Sequence, residues 1–486
     1  MVMTLYSRIF GGKSEVMDDV PRQLPEFVDM VDDVPLDFGG PLRLIEGAVP
    51  EGVDLGYWAG GWFRTPSRRI DHLLDCYSSA ISVRIRTEGS SVLVRRCDDD
   101  VYDAEMAAGR ILHRGMFTNR GGGLLSRMGI EFGRNAIHDC VAWGGRVLAS
   151  THGIDYWLDP RTLEQTGADP LASVRRELSG SAILAHHPRI DQRTGRLVTY
   201  TYSVSPTFAS AFEFFEIEAT GEIAQRRRYA LPRFMAPHAF GQTEHHYVVP
   251  EVPARFPSIR AALGLVKGIL DGVTDDANKG VVLHVVPRDP DAEPFEVRFS
   301  LHGYIYHCTN CFEQDGKVVL DAFVSNLNPE RESTQFRLDS TGPVYTNLGG
   351  VFRFTIDPVT KTGTKRLLVP RVQRITFDAI DESKRGSPYR YAWFAANDQH
   401  EGHSSSLTRA DTHTGELQHW HTDERLFLRQ PRIVGSEDGQ AWLVVPAYTP
   451  DETRFMLFDA HDLPAGPVAV LGAGRRLPYS NHGCAQ

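Results

Sequence analysis

The sequence predicts an all-β chain folded as a β-propeller, and three observations carry that expectation. Short runs such as SAILAHHP, RLVTYTYSV, HHYVVPEV, KGVVLHVVP, KVVLDAFV and AWLVVPAY are rich in β-branched and aromatic residues and end in Gly, Pro or Asp. Long amphipathic helices are few. A turn of the form D-x-x-T-G recurs at Asp191 to Gly195 and Asp411 to Gly415, with looser relatives at Asp159 to Gly167, Glu218 to Gly221, Asp339 to Gly342 and Asp357 to Gly363. In each, an acidic side chain can accept backbone N–H bonds while Gly supplies a positive φ, so each marks a hairpin. Hairpins repeated at intervals of tens of residues suggest blades stacked around an axis rather than one sandwich.

The 486 residues would suit two or three ordinary domains, but all-β architectures often exceed the usual domain size without splitting. Residues 1–40 are polar and acidic with little periodicity and read as a poorly ordered arm; residues 41–486 read as a single propeller. The stretch from Pro257 to Gly272 breaks the β pattern, because Ile259, Ala262, Leu263, Val266, Ile269 and Leu270 fall on one helical face. Such a helix either packs on the rim or offers an apolar patch to a membrane surface or a greasy substrate, with Arg260 and Lys267 opposite.

Composition excludes several classes. A formal net charge of -10 and only short basic runs, such as residues 226–228, argue against a nucleic-acid partner. The N-terminus lacks the basic-then-apolar pattern of a leader, and no apolar run approaches the ~18 residues of a membrane span. A cytoplasmic protein, at most peripheral to a membrane, is expected. Six cysteines are too sparse for a disulfide framework, and Cys308 and Cys311, the single C-x-x-C, read as small hydrophobes lining a buried strand.

Chemistry enters through histidines. His187, His238, His307 and His482 lie in the contexts AHHPRID, APHAFGQTE, YHCTNCFE and PYSNHG, each beside turn or polar residues that could hold it still. Pro188 restricts the backbone at His187, and Gly483 lets the chain after His482 approach a crowded axis. Any one alone reads more readily as a core or surface histidine than as a ligand. His186, His245 and His246 are poor ligands by strand parity, and the H-E-x-H of His400, Glu401 and His403 lies in a Gly- and Ser-rich stretch that does not suit the helical zincin pattern.

Taken together and in this order, the four contexts resemble the metal-ligand motifs of the carotenoid cleavage oxygenase family, and the likeness runs from about Gly47 to Gly483. GAVPEGVDLG, HLLDC at 72–76 and LDPRTLEQTG at 158–167 resemble further motifs of that family. The resemblance implies a seven-bladed β-propeller with a small helical or loop dome over an axial non-haem Fe(II), held by His187, His238, His307 and His482 and reached by an apolar tunnel. It also implies three Glu side chains hydrogen-bonding the ligands. Only Glu424, in ERLF, is retained, and it would support His482; the other two positions fall at Thr151 and Leu368. Thr can accept one hydrogen bond and Leu none, so iron is expected to bind more weakly than in a site with three carboxylates.

The implied reaction is oxidative scission of an alkene by O2, giving two carbonyl products from an apolar carotenoid or apocarotenoid. Stilbene cleavage is the alternative within the family, although the Lys used by stilbene-cleaving relatives falls near Ser150 here. Metal-dependent isomerisation without O2 is a further possibility. A rival of another class is a propeller that has lost catalysis and carries an apolar ligand.

Overall fold

In the computed structural model the chain forms seven β-sheets of three to six strands and one two-stranded ribbon. It describes residues 29–486 apart from 33, 66–69, 98–99, 119–127, 129–135, 152–154, 168, 178–182, 185–186, 205–208, 234, 236, 253, 256–258, 261–262, 266–273, 276–279, 326–336, 339–347, 374–376 and 397–404. Each sheet is a blade of antiparallel strands. In chain order the blades span Asp54–Arg96, Ile137–Leu158, Ile183–Leu231, Gly241–Phe299, Tyr304–Gln373, Phe377–His421 and Phe427–Gly472.

The ring is closed twice by the ends of the chain. Strand Tyr479–Ala485 joins blade 1 at its inner edge beside Asp54–Phe63, and Arg43–Gly47 joins blade 7 at its outer edge beside Pro467–Gly472. Strand Asp37–Pro41 adds an outer strand to blade 1. Within the expected arm over 1–40, Met30 and Val31 are buried and Asp32 pairs with Arg64 at 2.7 Å, while residues 1–28 lie outside the described residues.

Seven apolar seams hold neighbouring blades together, and an eighth cluster caps one face. Tyr57 and Ile81 of blade 1 meet Val444 and Phe455 of blade 7; Tyr200 and Phe214 of blade 3 meet Tyr247 and Val286 of blade 4. Each blade is sandwiched on both faces, which explains why its strands read as unbroken apolar runs. In His246–Pro250, for example, Tyr247 and Val249 face blade 3 while Val248 faces blade 5. Cys308 and Cys311 are small apolar fillers of the seam between blades 4 and 5.

The acidic turns form as the sequence suggests, with one difference. In Asp191–Gly195 and Asp411–Gly415 the glycine has φ 72° and 80° and donates to the Asp carbonyl at 2.7 and 2.8 Å. In the looser turns Leu163, at φ 56°, is left-handed in addition to Gly167 at φ 74°, and Lys361, at φ 56°, takes the left-handed position instead of Gly363. The Asp159 and Asp357 carboxylates, each accepting two turn N–H groups, compensate for that less favourable conformation. The turn expected at Asp339 to Gly342 lies outside the described residues.

Candidate metal centre

Each of the seven blades brings one polar side chain on or beside its inner strand. Blade 1 brings His482 on its closing strand; blade 5 brings His307 within Tyr304–Gln314; blades 3 and 4 bring His187 and His238 just before Arg189–Ile190 and Gly241–Gln242. The other three blades bring Asp139, Asp378 and Gln430. A propeller places its inner strands around one centre whatever their separation in sequence, so residues as distant as 187 and 482 become neighbours.

All four sequence-predicted histidines come together. His187, His238 and His307 each offer a ring nitrogen within 4.8 Å of the others. The His482 ring centroid lies 4.7 Å from those of both His187 and His307, while His187 and His238 are 4.7 Å apart. His187 and His482 are buried. The Nε2 atoms of His187 and His238 are 3.0 Å apart. Two ligands at right angles on an ion with metal–nitrogen bonds of about 2.1 Å would stand about 3.0 Å apart, so the donor set fits a first-row divalent ion that favours imidazole.

The partners on the outer nitrogens fix the tautomers. Asp139 Oδ2 accepts from His187 Nδ1 at 3.1 Å, and Gln430 Oε1 accepts from His482 Nδ1 at 2.9 Å, so both rings turn an unprotonated Nε2 to the axis. Gln430 is itself tied down: its Nε2 donates to the Asp378 carbonyl at 2.9 Å, and its Oε1 also accepts from Arg432 at 2.8 Å. Among the described residues no group hydrogen-bonds His307; Asp378 acts on it through its charge. Burial pushes the His307 imidazolium pKa down to about 4 and, with the neighbouring His307, that of His482 well below the usual range. Both rings are therefore neutral and ready to ligate at pH 7. Burial pushes the Asp139 carboxyl up to about 7, against the pull of Arg432 and Arg189.

The expected supports stand elsewhere. Glu424 is half exposed and forms a two-pronged pair with Arg454 at 2.7 and 2.9 Å, so it does not reach His482. The sequence ERLFLRQ places Gln430 six residues on, at the end of a run buried from Leu426 onward. Leu368 packs among Phe312, Tyr389 and Phe394 in the seam between blades 5 and 6. Thr151 is buried at the end of Arg146–Thr151, its N–H held by Asp155 at 2.7 Å, while the acceptor on His187 comes from the neighbouring strand as Asp139. Asp139 could have been suspected as a carboxylate in the otherwise apolar run IHDCVAW. Gln430 carries no comparable signal.

The remaining histidine expectations resolve simply. His245 and His246 both hydrogen-bond Glu313, at 2.7 and 3.1 Å, and take no part in the quartet. His186, His400, Glu401 and His403 lie outside the described residues. The Tyr306 ring lies against the quartet, 3.8 Å from that of His238; Trp62, in the capping cluster with Phe63, Tyr77, Phe427 and Tyr479, packs on His138 and donates to the Ile137 carbonyl at 2.9 Å. Helix Asp100–Ala108 buries Glu105 under this cap, where it accepts from Tyr77 at 2.6 Å.

Comparison with known proteins agrees with this geometry. A family model described as retinal pigment epithelial membrane protein matches residues 33–484. The apocarotenoid-15,15'-oxygenase of Synechocystis sp. is 28% identical over 400 residues, 79% of either chain. The lignostilbene-alpha,beta-dioxygenase isozyme III of Sphingomonas paucimobilis is 24% identical over 356 residues, 67% of this chain and 69% of that one. The crystal structure of the cobalt-substituted Synechocystis oxygenase superposes with a TM-score of 0.83 at 23% identity, covering 96% of this chain and 99% of its own.

Proposed function

The chain belongs to the carotenoid cleavage oxygenase family, a family of alkene-cleaving dioxygenases, and from that premise we propose that it is a non-haem Fe(II) enzyme that cleaves one double bond of a carotenoid or apocarotenoid with O2. The observation that carries this reading is the convergence of four imidazoles at one point, two of them with Nε2 aimed inward by Asp139 and Gln430. His187, His238, His307 and His482 would hold the ion, which supplies coordination positions at which O2 can meet an organic substrate.

The protein's own share is positional. Neutral ligands leave the ion's charge uncompensated except through Asp139, and no side chain here needs to act as acid, base or nucleophile. The overall change, R–CH=CH–R' plus O2 giving R–CHO plus R'–CHO, balances without one. Tyr306 presents a flat aromatic surface beside His238 and His307, suited to a conjugated chain. Ile259, Leu263 and Leu265 are 67%, 48% and 55% exposed, and this apolar patch is the place we assign to contact with a membrane or a greasy substrate. Only parts of 257–272 are described, and among the described residues no helix is long and apolar enough to cross a membrane.

Stilbene cleavage is the less favoured reading. Ser150 is buried in strand Arg146–Thr151 with its Oγ lacking a partner, and it cannot offer a cation to a phenolate. The test is anaerobic reconstitution with Fe(II), followed by aerobic assay on apocarotenals and resveratrol-like stilbenes, with O2 uptake and aldehydes measured together. O2 uptake matched to apocarotenal loss is expected. Cleavage of stilbenes alone would overturn the substrate class, substrate loss without O2 uptake would indicate isomerisation, and neither would leave a carrier.

A further inference from the structure

Two residues beyond His187, the chain carries a cation whose charge is not matched. Arg189 donates to the Cys308 carbonyl at 3.2 Å and, among the described residues, has no carboxylate within 4.0 Å. It opens into a cleft lined also by Arg193, Gln242 and Asn310, on the segments that follow His187, His238 and His307, and by Arg385, which follows the short helical turn Glu382–Lys384. The other charges of this cleft are spoken for. Arg193 pairs with Glu244, Asp191 with Arg288 at 2.9 Å, and Arg385 with Glu382 in a two-pronged contact of 2.5 and 2.7 Å.

Asp378 and Glu382 act on Arg189 only at longer range, and Arg385 opposes them. An uncompensated charge held away from bulk water is costly, and the planar guanidinium fork is the protein group best shaped to receive two oxygens of one anion.

We propose that this cleft binds one small oxyanion, a carboxylate or a phosphate, seated on the Arg189 guanidinium with Arg385 beside it. Occupancy would tie together the strands that carry His187 and His307, since Arg189 belongs to the first and already bonds the second. The anion site stands on its own residues and does not depend on which metal or substrate the quartet takes.

The experiment is thermal unfolding of the full chain in sodium phosphate, sodium acetate and sodium chloride at matched ionic strength, for the wild type and Arg189→Met. Methionine keeps the apolar stem and removes the charge. The wild type should show a saturable rise in Tm of about 1–2 °C in phosphate or acetate over chloride, and Arg189→Met should show none. Response to acetate alone assigns a carboxylate and response to phosphate alone a phosphate; either supports the site. An equal rise in the variant, or no rise in the wild type, overturns it. Should Arg189→Met fail to fold, phosphorus NMR with phosphate and carbon-13 NMR with labelled acetate on the wild type decide: one saturable phosphate or acetate per chain is expected, and the absence of both refutes the proposal.

Discussion

Asp139 offers the sharpest test of how the centre is supported. It is the carboxylate that hydrogen-bonds a ligand imidazole among the described residues, and its Oδ2 sits 3.1 Å from His187 Nδ1 while its Oδ1 has no partner. Its contribution therefore runs through His187 and through charge. Replacing such an outer group typically costs about 10- to 100-fold in metal affinity, or about 1.4–2.7 kcal/mol. The two halves of that effect separate by substitution. Asp139→Asn keeps an acceptor oxygen but loses the charge, and charge-assisted hydrogen bonds are about twice as strong as neutral ones, so about a tenfold loss is expected. Asp139→Leu removes acceptor and charge together and should approach 100-fold. Neither change should unfold the chain, because burial already penalises the ionised carboxyl and lifts it to about 7. Affinity is read by anaerobic competition for Fe(II) against a chromogenic ferrous chelator, with circular dichroism as the folding control. Asp139→Leu holding Fe(II) as tightly as the wild type would refute the idea that this carboxylate orients His187.

Three further predictions follow from the same geometry. Gln430→Ala should weaken metal binding about tenfold by releasing His482, whereas Glu424→Gln, which breaks a half-exposed pair with Arg454 worth about 0–1 kcal/mol, should leave it unchanged; the same chelator competition reports both. Gly483→Ala should destabilise the closing strand by about 1–3 kcal/mol in denaturant titration, because a Cβ there would lie 2.2 Å from the Trp58 carbonyl oxygen, and deleting residues from Asn481 onward should abolish metal binding and lower stability together. Glu313 gives a pH signature: burial raises its pKa, but hydrogen bonds from His246, Thr243 and His245 outweigh that and hold it well below the usual range. Its stabilisation is present above the unfolded value of about 4.3 and is lost as pH falls below it, so Glu313→Gln should be less stable than wild type at pH 7 and the gap should narrow on acidification through pH 4, measured by urea unfolding.

The sequence alone determined the hairpins, the β class and the four histidines. These are legible because they rest on local chemistry: Asp and Gly at the turns of Asp191–Gly195 and Asp411–Gly415, β-branched runs for strands packed on both faces, and Pro188 and Gly483 fixing the chain beside its ligands. Tertiary structure alone decided which groups stand behind the imidazoles. A hydrogen bond to a ligand depends on where a side chain from another blade arrives to within about half an ångström, and a motif position does not transmit that. So Glu424 turned out to the surface towards Arg454 while Gln430 reached His482, and the acceptor on His187 came from Asp139 rather than from Thr151. The unmatched charge of Arg189 is invisible in sequence for the same reason: pairing belongs to the closed ring, in which every inner strand meets the others at the axis, and not to the order of residues along the chain.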